Sequence, residues 1–356
     1  MARHAGLDAA RTVATILVVA THAALSFMVT PIGWAIQDRS RHLGVDLYVW
    51  AMRAFGMPVF FWLSGYSARA VFVRRGARGF VADRGTRILV PLALALVPCS
   101  LAIDALWDWG REVGQRAAVP DHIPRFQGSE LPIQLGHLWY LYYLLWLSLA
   151  ALAVARIVRG MRAPSGSAVL VVPATISIAA LVYLCTLQTD TPLGFLPDVP
   201  ILLYMGAFFA WGWLVHARPD EIARYADHAW RALAVAVALL AILVVALYRG
   251  GEPPLHAVVA SGLYTIAMVV VFLGLHVRYL SRPGPLLGVA SDFAYWTYIV
   301  HLPIVVGLQI LVASLAIPGV VKYCAILVVT LTICIASYHV VVRRRWSASR
   351  SSALHR

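Results

Sequence analysis

Five polar residues share one face of the first apolar segment. At 100° per residue, Asp8, Arg11, Thr15, His22 and Ser26 fall within about 60° of one another. A titratable group in a bilayer core is costly, which makes it a functional candidate. His22 is suited to general base catalysis, because a buried imidazole stays neutral and accepts protons. Arg11 belongs at the cytoplasmic edge, with His22 about 16 Å deeper. The alternative is a core histidine bonded to a carbonyl of the next helix.

Arginines are concentrated after the second apolar segment. Arg84 and Arg87 stand three residues apart where the third span is expected to begin, behind Arg74, Arg75 and Arg78. Part of this charge is the ordinary positive-inside signal. Two guanidinium groups at a helix N-terminus, however, suit a phosphate or pyrophosphate. The pair therefore predicts an anionic ligand on the cytosolic side.

Small residues follow each other in the second apolar segment. Ser64, Gly65 and Ala68 form a small-residue face, which is typical of close helix packing. The functional alternative is a slot through which the thin chain of a ligand passes between helices. Ser64 is not expected to be a nucleophile, since no G-x-S-x-G motif surrounds it. Earlier in this segment Arg53 and Pro58 interrupt the run, and such groups must face protein or water.

Two later motifs combine histidine with aromatic residues. His137 and Trp139 open the fourth span, where an interfacial aromatic belt is expected. Tyr295, Tyr298 and His301 recur every three residues in a late span, so their polar ends are expected to bond to other helices. His301, a second intramembrane histidine, is also a candidate functional residue, either at the site of an acceptor substrate or in support of His22.

The elements that must position these residues are membrane-spanning helices. Of 356 residues, 61% are apolar and 13% are charged, which excludes an ordinary soluble enzyme. The sequence predicts an all-α, polytopic integral membrane protein with about ten transmembrane helices, forming one domain over 1–342. The first run lacks a cleavage site and is expected to stay as a span. The tail over 343–356 is expected to be disordered and to lie against anionic lipid headgroups. The predicted spans are 12–31, 46–71, 88–107, 136–157, 167–186, 200–217, 232–249, 255–276, 291–315 and 320–342.

The distribution of positive charge predicts the orientation. Placing both termini in the cytoplasm puts 21 of the 29 Lys and Arg residues inside and seven outside, with Lys322 among the outer ones. Arg53 lies within a span. The net charge of +13 therefore belongs to a membrane protein and not to a nucleic-acid-binding one. The longest outer segment, 108–134, is expected to cover an outward-facing cavity.

Several kinds of chemistry have no residues to support them. The four cysteines lie within apolar runs without C-x-x-C or Cys/His spacing, so no metal site or disulfide is indicated. The sequence also lacks a P-loop, an H-E-x-x-H motif and a dinucleotide-binding glycine motif. Nucleotide hydrolysis, zinc proteolysis and dinucleotide redox chemistry are therefore not expected.

Taken in order, these motifs resemble the acyltransferase-3 family of membrane acyltransferases. The resemblance spans about residues 5–306 and is most similar to the branch containing the periplasmic glucan biosynthesis protein C. One difference is Thr12, where many members have glycine after the arginine. The motifs are Arg11 with ten residues before His22, the run Phe-Phe-Trp-Leu-Ser-Gly-Tyr over 60–66, Arg84-x-x-Arg87 with Pro91, His137-Leu-Trp-Tyr, and Tyr295-Trp-x-Tyr298-x-x-His301-x-Pro303.

The resemblance implies a reaction and assigns residues to it. It implies acyl-coenzyme A as a co-substrate on the cytosolic side, with no permanently bound cofactor, and a carbohydrate or glucan hydroxyl as acceptor. His22 would be the essential histidine and Arg11 its companion, in a multi-pass protein of the inner membrane. Direct transfer and a covalent acyl-enzyme are both open. Donor binding is assigned to Arg84, Arg87, Ser64 and Gly65, and the acceptor site or its support to His137, Trp139, Tyr298, His301 and Arg53.

Two other functional classes compete with this interpretation. A transporter or flippase of a lipid-linked sugar would favour two matching halves with interrupted helices. The polar groups here instead crowd into the first 140 residues and one late span. A scaffold or sensor would fit the bland spans between 167 and 276 but not the polar face of the first span.

Overall fold

The computed structural model describes residues 4–116, 133–157, 168–282 and 285–343. These residues form helices and connecting segments and contain no strand, which confirms the all-α prediction for the described part of the chain. The α-helices in chain order are α1 (Ala5–Ala24), α2 (Leu43–Arg84), α3 (Val90–Arg116), α4 (Trp139–Ile157), α5 (Ala168–Leu184), α6 (Val199–Val215), α7 (Pro219–Arg249), α8 (Leu255–Tyr279), α9 (Pro285–Ala313) and α10 (Gly319–Ser337).

Seven helical segments in the described residues are long and apolar enough to cross a membrane. One of them, Leu43–Gln115, has 73 residues and covers both the second and the third predicted span. The helices α5 and α6 are apolar but shorter. The molecule is therefore a multi-pass membrane protein, while the count of ten spans and the cytoplasmic side of the termini stay predictions. Most of the outer segment 108–134 and the tail beyond 343 lie outside the described residues.

The predicted inner loop between the second and third spans is reduced to a kink at Gly76, within a segment that is otherwise helical. α2 continues to Arg84, and a π-helical turn over Gly85–Leu89 joins it directly to α3. The chain changes direction at Gly76, whose φ of 66° is a backbone conformation that glycine adopts without a steric penalty. No helix therefore begins at Arg84, and the helix-dipole part of the phosphate-binding argument is wrong.

The first helix begins and ends earlier than the span predicted over 12–31. α1 starts at Ala5, and a 3-10 turn over Leu25–Phe27 ends it. Beyond this turn the backbone N–H groups of Val29 and Thr30 donate to the Asp46 carboxylate, each at 2.8 Å. These side-chain bonds replace the helical ones, so the chain leaves the helix here.

The described residues group into two compact units. The first unit draws on Met1–Ala14, Trp50–Ser100 and Ser129–Pro283, and the second on Thr15–Val49, Leu101–Gly128 and Gly284–Arg356. α1, α2 and α3 each contribute residues to both units. The single domain over 1–342 stays a prediction.

Close backbone packing joins α2 to α6 within the first unit. A Cβ atom on Gly65 would lie 1.9 Å from the carbonyl oxygen of Phe209, and one on Gly212 would lie 1.9 Å from that of Trp62. Only glycine fits at these crossings. The contact supports the packing interpretation of the small-residue face, and a donor-binding role for Gly65 stays a prediction.

Replacing Gly65 with alanine should destabilise the protein, because the added methyl group meets a backbone atom that cannot rotate away. We expect a loss of about 1–3 kcal/mol, typical of overpacking, measured as a lower melting temperature in detergent. Gly56→Ala on the same helix is the matched control, since a Cβ there meets nothing within 4 Å. Equal melting temperatures for the two variants would contradict the close crossing.

Candidate active site

The His22 imidazole lies in the second unit and is bonded through its Nδ1 atom. Its Nδ1 lies 3.0 Å from the carbonyl oxygen of Val18, one turn earlier in α1. The same atom lies 3.2 Å from Nε2 of His301 on α9, and the two ring centroids are 5.1 Å apart. His22 therefore contacts another histidine in addition to the carbonyl of its own helix.

His301 is fully buried, with no exposed surface. Its Nδ1 lies 2.8 Å from the carbonyl oxygen of Tyr298 and 3.1 Å from that of Thr297. These two contacts attach the imidazole to its own helix and aim Nε2 at His22. The structure thus brings His22 together with His301 and Tyr298, which belong to a different sequence motif.

Trp34 and Gln309 complete the surroundings of His22. The Trp34 ring stacks on the His22 ring with centroids 5.9 Å apart, and its Nε1 donates to Gln309 Oε1 at 2.8 Å. Gln309 Nε2 donates to the carbonyl oxygens of His22 and Ala23 at 2.9 and 3.1 Å. These carbonyls lie in the last turn of α1, where intrahelical donors run out. One amide therefore satisfies the helix end and holds the stacked indole.

A buried ion pair anchors the segment that carries Trp34. Lys322 Nζ lies 2.7 Å from Asp38 Oδ2, and both side chains are almost completely buried. The ammonium also donates to the carbonyl oxygen of Ala313 at 3.2 Å, and the Ser40 N–H donates to Asp38 at 2.8 Å. Lys322, which was counted among the outer residues, is therefore a buried residue in the first turn of α10, and its side of the membrane stays a prediction.

Arg11 belongs to a polar cluster of the first unit. Its guanidinium pairs with Asp8 at 3.0 Å and donates to Ser67 Oγ at 2.8 Å. Ser67 in turn donates to the carbonyl oxygen of Leu63. The side chain of Arg11 thus links α1 to α2.

The hydroxyl groups of Ser64 and Tyr140 lie 2.5 Å apart in the same unit. Tyr140 is buried and interacts electrostatically with both Arg11 and Arg84. Tyr140, one of the aromatic residues expected in an interfacial belt, therefore has its hydroxyl bonded inside the protein. Of the residues predicted from separate motifs, Ser64 therefore bonds to this hydroxyl, and the charges of Arg11 and Arg84 act on it.

Arg84 and Arg87 share a carboxylate that the sequence motif did not include. Asp83, with 2% of its side chain exposed, lies 2.8 Å from Arg84, 3.3 Å from Arg87 and 3.4 Å from Arg75. Three guanidinium groups around one carboxylate leave a net positive charge. Arg84 is 13% exposed, whereas Arg87 is 72% exposed and accessible to an anion.

The remaining predicted residues lie in the first unit. His137 is buried in a 3-10 turn over Gly136–Leu138, and Trp139 packs against Phe61 with ring centroids 5.9 Å apart. Arg53 lies on α2 and interacts electrostatically with Asp190. Their roles at the acceptor site stay predictions.

Several residues of these clusters escaped sequence reasoning. Trp34 lies in a segment without helical periodicity, and the Tyr140 hydroxyl resembles those of its aromatic neighbours. Gln309 and Lys322 carried a usable signal, because a lone polar residue in an apolar helix needs a partner. The identity of that partner comes only from the folded chain.

The family model of the acyltransferase-3 family, described as an acyltransferase domain, matches residues 4–339. The chain therefore belongs to this family, which confirms the resemblance seen in the motifs. Family and fold together define a membrane acyltransferase. Comparisons with curated proteins and with solved structures gave no match.

Replacing Lys322 with methionine should destabilise the protein strongly, because Asp38 would be left as an uncompensated buried charge. Breaking such a pair costs about 3–5 kcal/mol, measured as the change in unfolding free energy in detergent. Asp38→Asn combined with Lys322→Met should recover part of the loss. Arg224→Met, at an ion pair in which the arginine is 61% exposed, is the control and should cost less than about 1 kcal/mol. Equal losses for Lys322→Met and the control would contradict the anchoring role.

Proposed function

We propose that this protein transfers an acyl group from acyl-coenzyme A on the cytosolic side to a hydroxyl of an envelope carbohydrate or glucan. Family membership supports acyl transfer in general. The single observation that carries the specific proposal is the His22 imidazole, stacked on Trp34 and bonded through Nδ1. A ring held in this way is suited to accept a proton at its other nitrogen.

His22 is assigned the role of general base. It takes the proton from the acceptor hydroxyl, whose oxygen attacks the thioester carbon. The new C–O bond forms as the C–S bond breaks, and the proton then passes from His22 to the departing thiolate. This direct transfer needs no covalent enzyme intermediate.

Arg87 and Arg84 are assigned to the phosphate groups of the donor. The net positive charge around Asp83 favours an anion, and arginine binds phosphate oxygens in a bidentate manner. Coenzyme A separates its phosphates from its thioester by the pantetheine arm. The arginines that bind the phosphates therefore need not be neighbours of the histidine that acts at the thioester.

The polar clusters of the first unit favour a donor-binding site over a transport pathway. Asp8, Asp83, Arg11 and Arg84 are all engaged in ion pairs, which favours fixed binding residues over ion-coupling ones. The proposal also includes three finer points. The protein belongs to the glucan branch of the family, it lies among the lipids of the inner membrane, and both of its termini are cytoplasmic.

Replacing His22 with glutamine should reduce kcat by about 10²–10⁴-fold, the usual contribution of a general base. The affinity for coenzyme A should be unchanged, because the phosphate-binding arginines remain. Transfer of labelled acyl groups by purified protein in lipid nanodiscs measures the first effect, and calorimetric titration with coenzyme A measures the second.

His276→Gln is the matched control for this variant. His276 also bonds through Nδ1 to the carbonyl one turn earlier, that of Phe272, but on α8. Its replacement should leave kcat unchanged. Full activity of the His22→Gln protein would end the assignment of His22 as the base.

Replacing Arg87 with alanine should weaken binding of coenzyme A by about three- to tenfold, since a partly solvated charge-assisted contact is lost. Asp83 keeps Arg84 and Arg75 as partners, so the melting temperature should not change. Arg78→Ala, an exposed arginine of the same segment, is the control. Equal affinities for the Arg87 and Arg78 variants would contradict the phosphate-binding role.

A further inference from the structure

The proton positions of the histidine pair follow from its hydrogen-bond partners. A neutral imidazole has one N–H donor and one acceptor nitrogen. Nδ1 of His301 faces the carbonyl oxygens of Tyr298 and Thr297, at 2.8 and 3.1 Å, and both of these only accept. The proton of His301 therefore lies on Nδ1, and its Nε2 is an acceptor.

The same argument then fixes the tautomer of His22. Its Nδ1 faces two acceptors, the carbonyl oxygen of Val18 at 3.0 Å and Nε2 of His301 at 3.2 Å. Nδ1 must carry the proton, because a lone pair there would face two other lone pairs. Nε2 of His22 is thus the nitrogen that presents its lone pair.

We propose that His301 is a positioning residue for the acyl-transfer reaction: it accepts the Nδ1 proton of His22 and so holds His22 ready to take the substrate proton at Nε2. This inference rests on the proposed role of His22 as the base. It assigns the fully buried His301 to support of His22 and not to contact with the acceptor sugar.

The contact matters most once His22 has taken the proton. The acceptor hydroxyl loses its proton to Nε2, which makes His22 an imidazolium with an N–H at both nitrogens. Hydrogen bonds from a charged donor are stronger than those from a neutral one. The bond from Nδ1 to His301 therefore stabilises the charged intermediate more than the resting state, so its loss should lower kcat and leave the donor KM unchanged.

A neutral partner fits this position in the apolar interior. In serine protease triads a carboxylate accepts the corresponding proton. A buried carboxylate needs its own compensating partners. Among the described side chains, the two buried carboxylates of the second unit, Asp38 and Asp46, are already engaged, by Lys322 and by the backbone of Val29 and Thr30.

Two replacements of His301 separate support of His22 from a role in folding. Glutamine places an acceptor oxygen near the position of Nε2 and can still bond to His22. Asparagine reaches only the position of Nδ1, so it keeps a donor for the Tyr298 and Thr297 carbonyls but loses His22. Kinetics of both purified variants in nanodiscs, with melting temperatures measured in parallel, provide the comparison.

The expected result is a reduction of kcat by about 10- to 100-fold for His301→Asn, the effect of losing a hydrogen bond to a charged group. The donor KM should be unchanged, and His301→Gln should keep kcat within about threefold of the parent. The proposal would be overturned if kcat of His301→Asn equalled or exceeded that of His301→Gln. A change in KM without a change in kcat would overturn it as well.

The tautomer itself is measurable without any replacement of His301. In ¹⁵N-histidine-labelled protein, with His22 assigned by comparison with His22→Gln, we expect the resting ring to be protonated at Nδ1 and unprotonated at Nε2. A proton on Nε2 would overturn this inference even if acyl transfer is observed. Absence of acyl transfer by the parent protein would instead refute the proposed function, whatever the tautomer.

Discussion

The cost of leaving a charge or a backbone group unpaired in an apolar interior is the constraint on which the rest of the structure depends. An unpaired buried charge or hydrogen-bonding group costs more than most packing contacts provide. Each described buried carboxylate accordingly has partners: Asp38 has Lys322, Asp46 has two backbone N–H groups, and Asp83 has three arginines. These bonds fix the segment after α1 and the junction of α2 with α3, and they thereby decide where Trp34, Arg84 and Arg87 lie.

The same constraint shapes the surroundings of the central imidazole. The last turn of α1 exposes carbonyl groups, and Gln309 satisfies two of them while it accepts from Trp34. His22 and His301 each bond through Nδ1 to carbonyls of their own helix. The hydrogen bonds that satisfy these backbone carbonyl groups therefore also orient the two imidazole rings. In the proposed reaction, the base is therefore positioned by neutral groups and needs no additional charge.

In the first unit, adjacent residues of α2 make a close backbone contact and a polar side-chain contact. Gly65 and Gly212 let the backbones of α2 and α6 touch, while on α2 the neighbouring Ser64 bonds to Tyr140 on α4. Tyr140 lies within the electrostatic influence of Arg11 and Arg84. One hydroxyl thus bonds to a residue of one motif and feels the charges of two others that are far apart in the chain.

The sequence by itself determined the helical class, the positions of most helices and the identity of the family, because apolar runs of membrane length and ordered motifs are local properties of the chain. It also singled out His22, Arg11, Arg84 and Arg87. Only the tertiary structure decided which groups these residues meet. The contact of His22 with His301 joins residues 279 positions apart, and the pairing of Lys322 with Asp38 joins residues 284 apart. The continuous helix at Arg84 likewise depends on how the chain satisfies its backbone there, which charge spacing does not reveal. Partners over such separations are chosen by the packing of whole helices, and no local pattern encodes that choice.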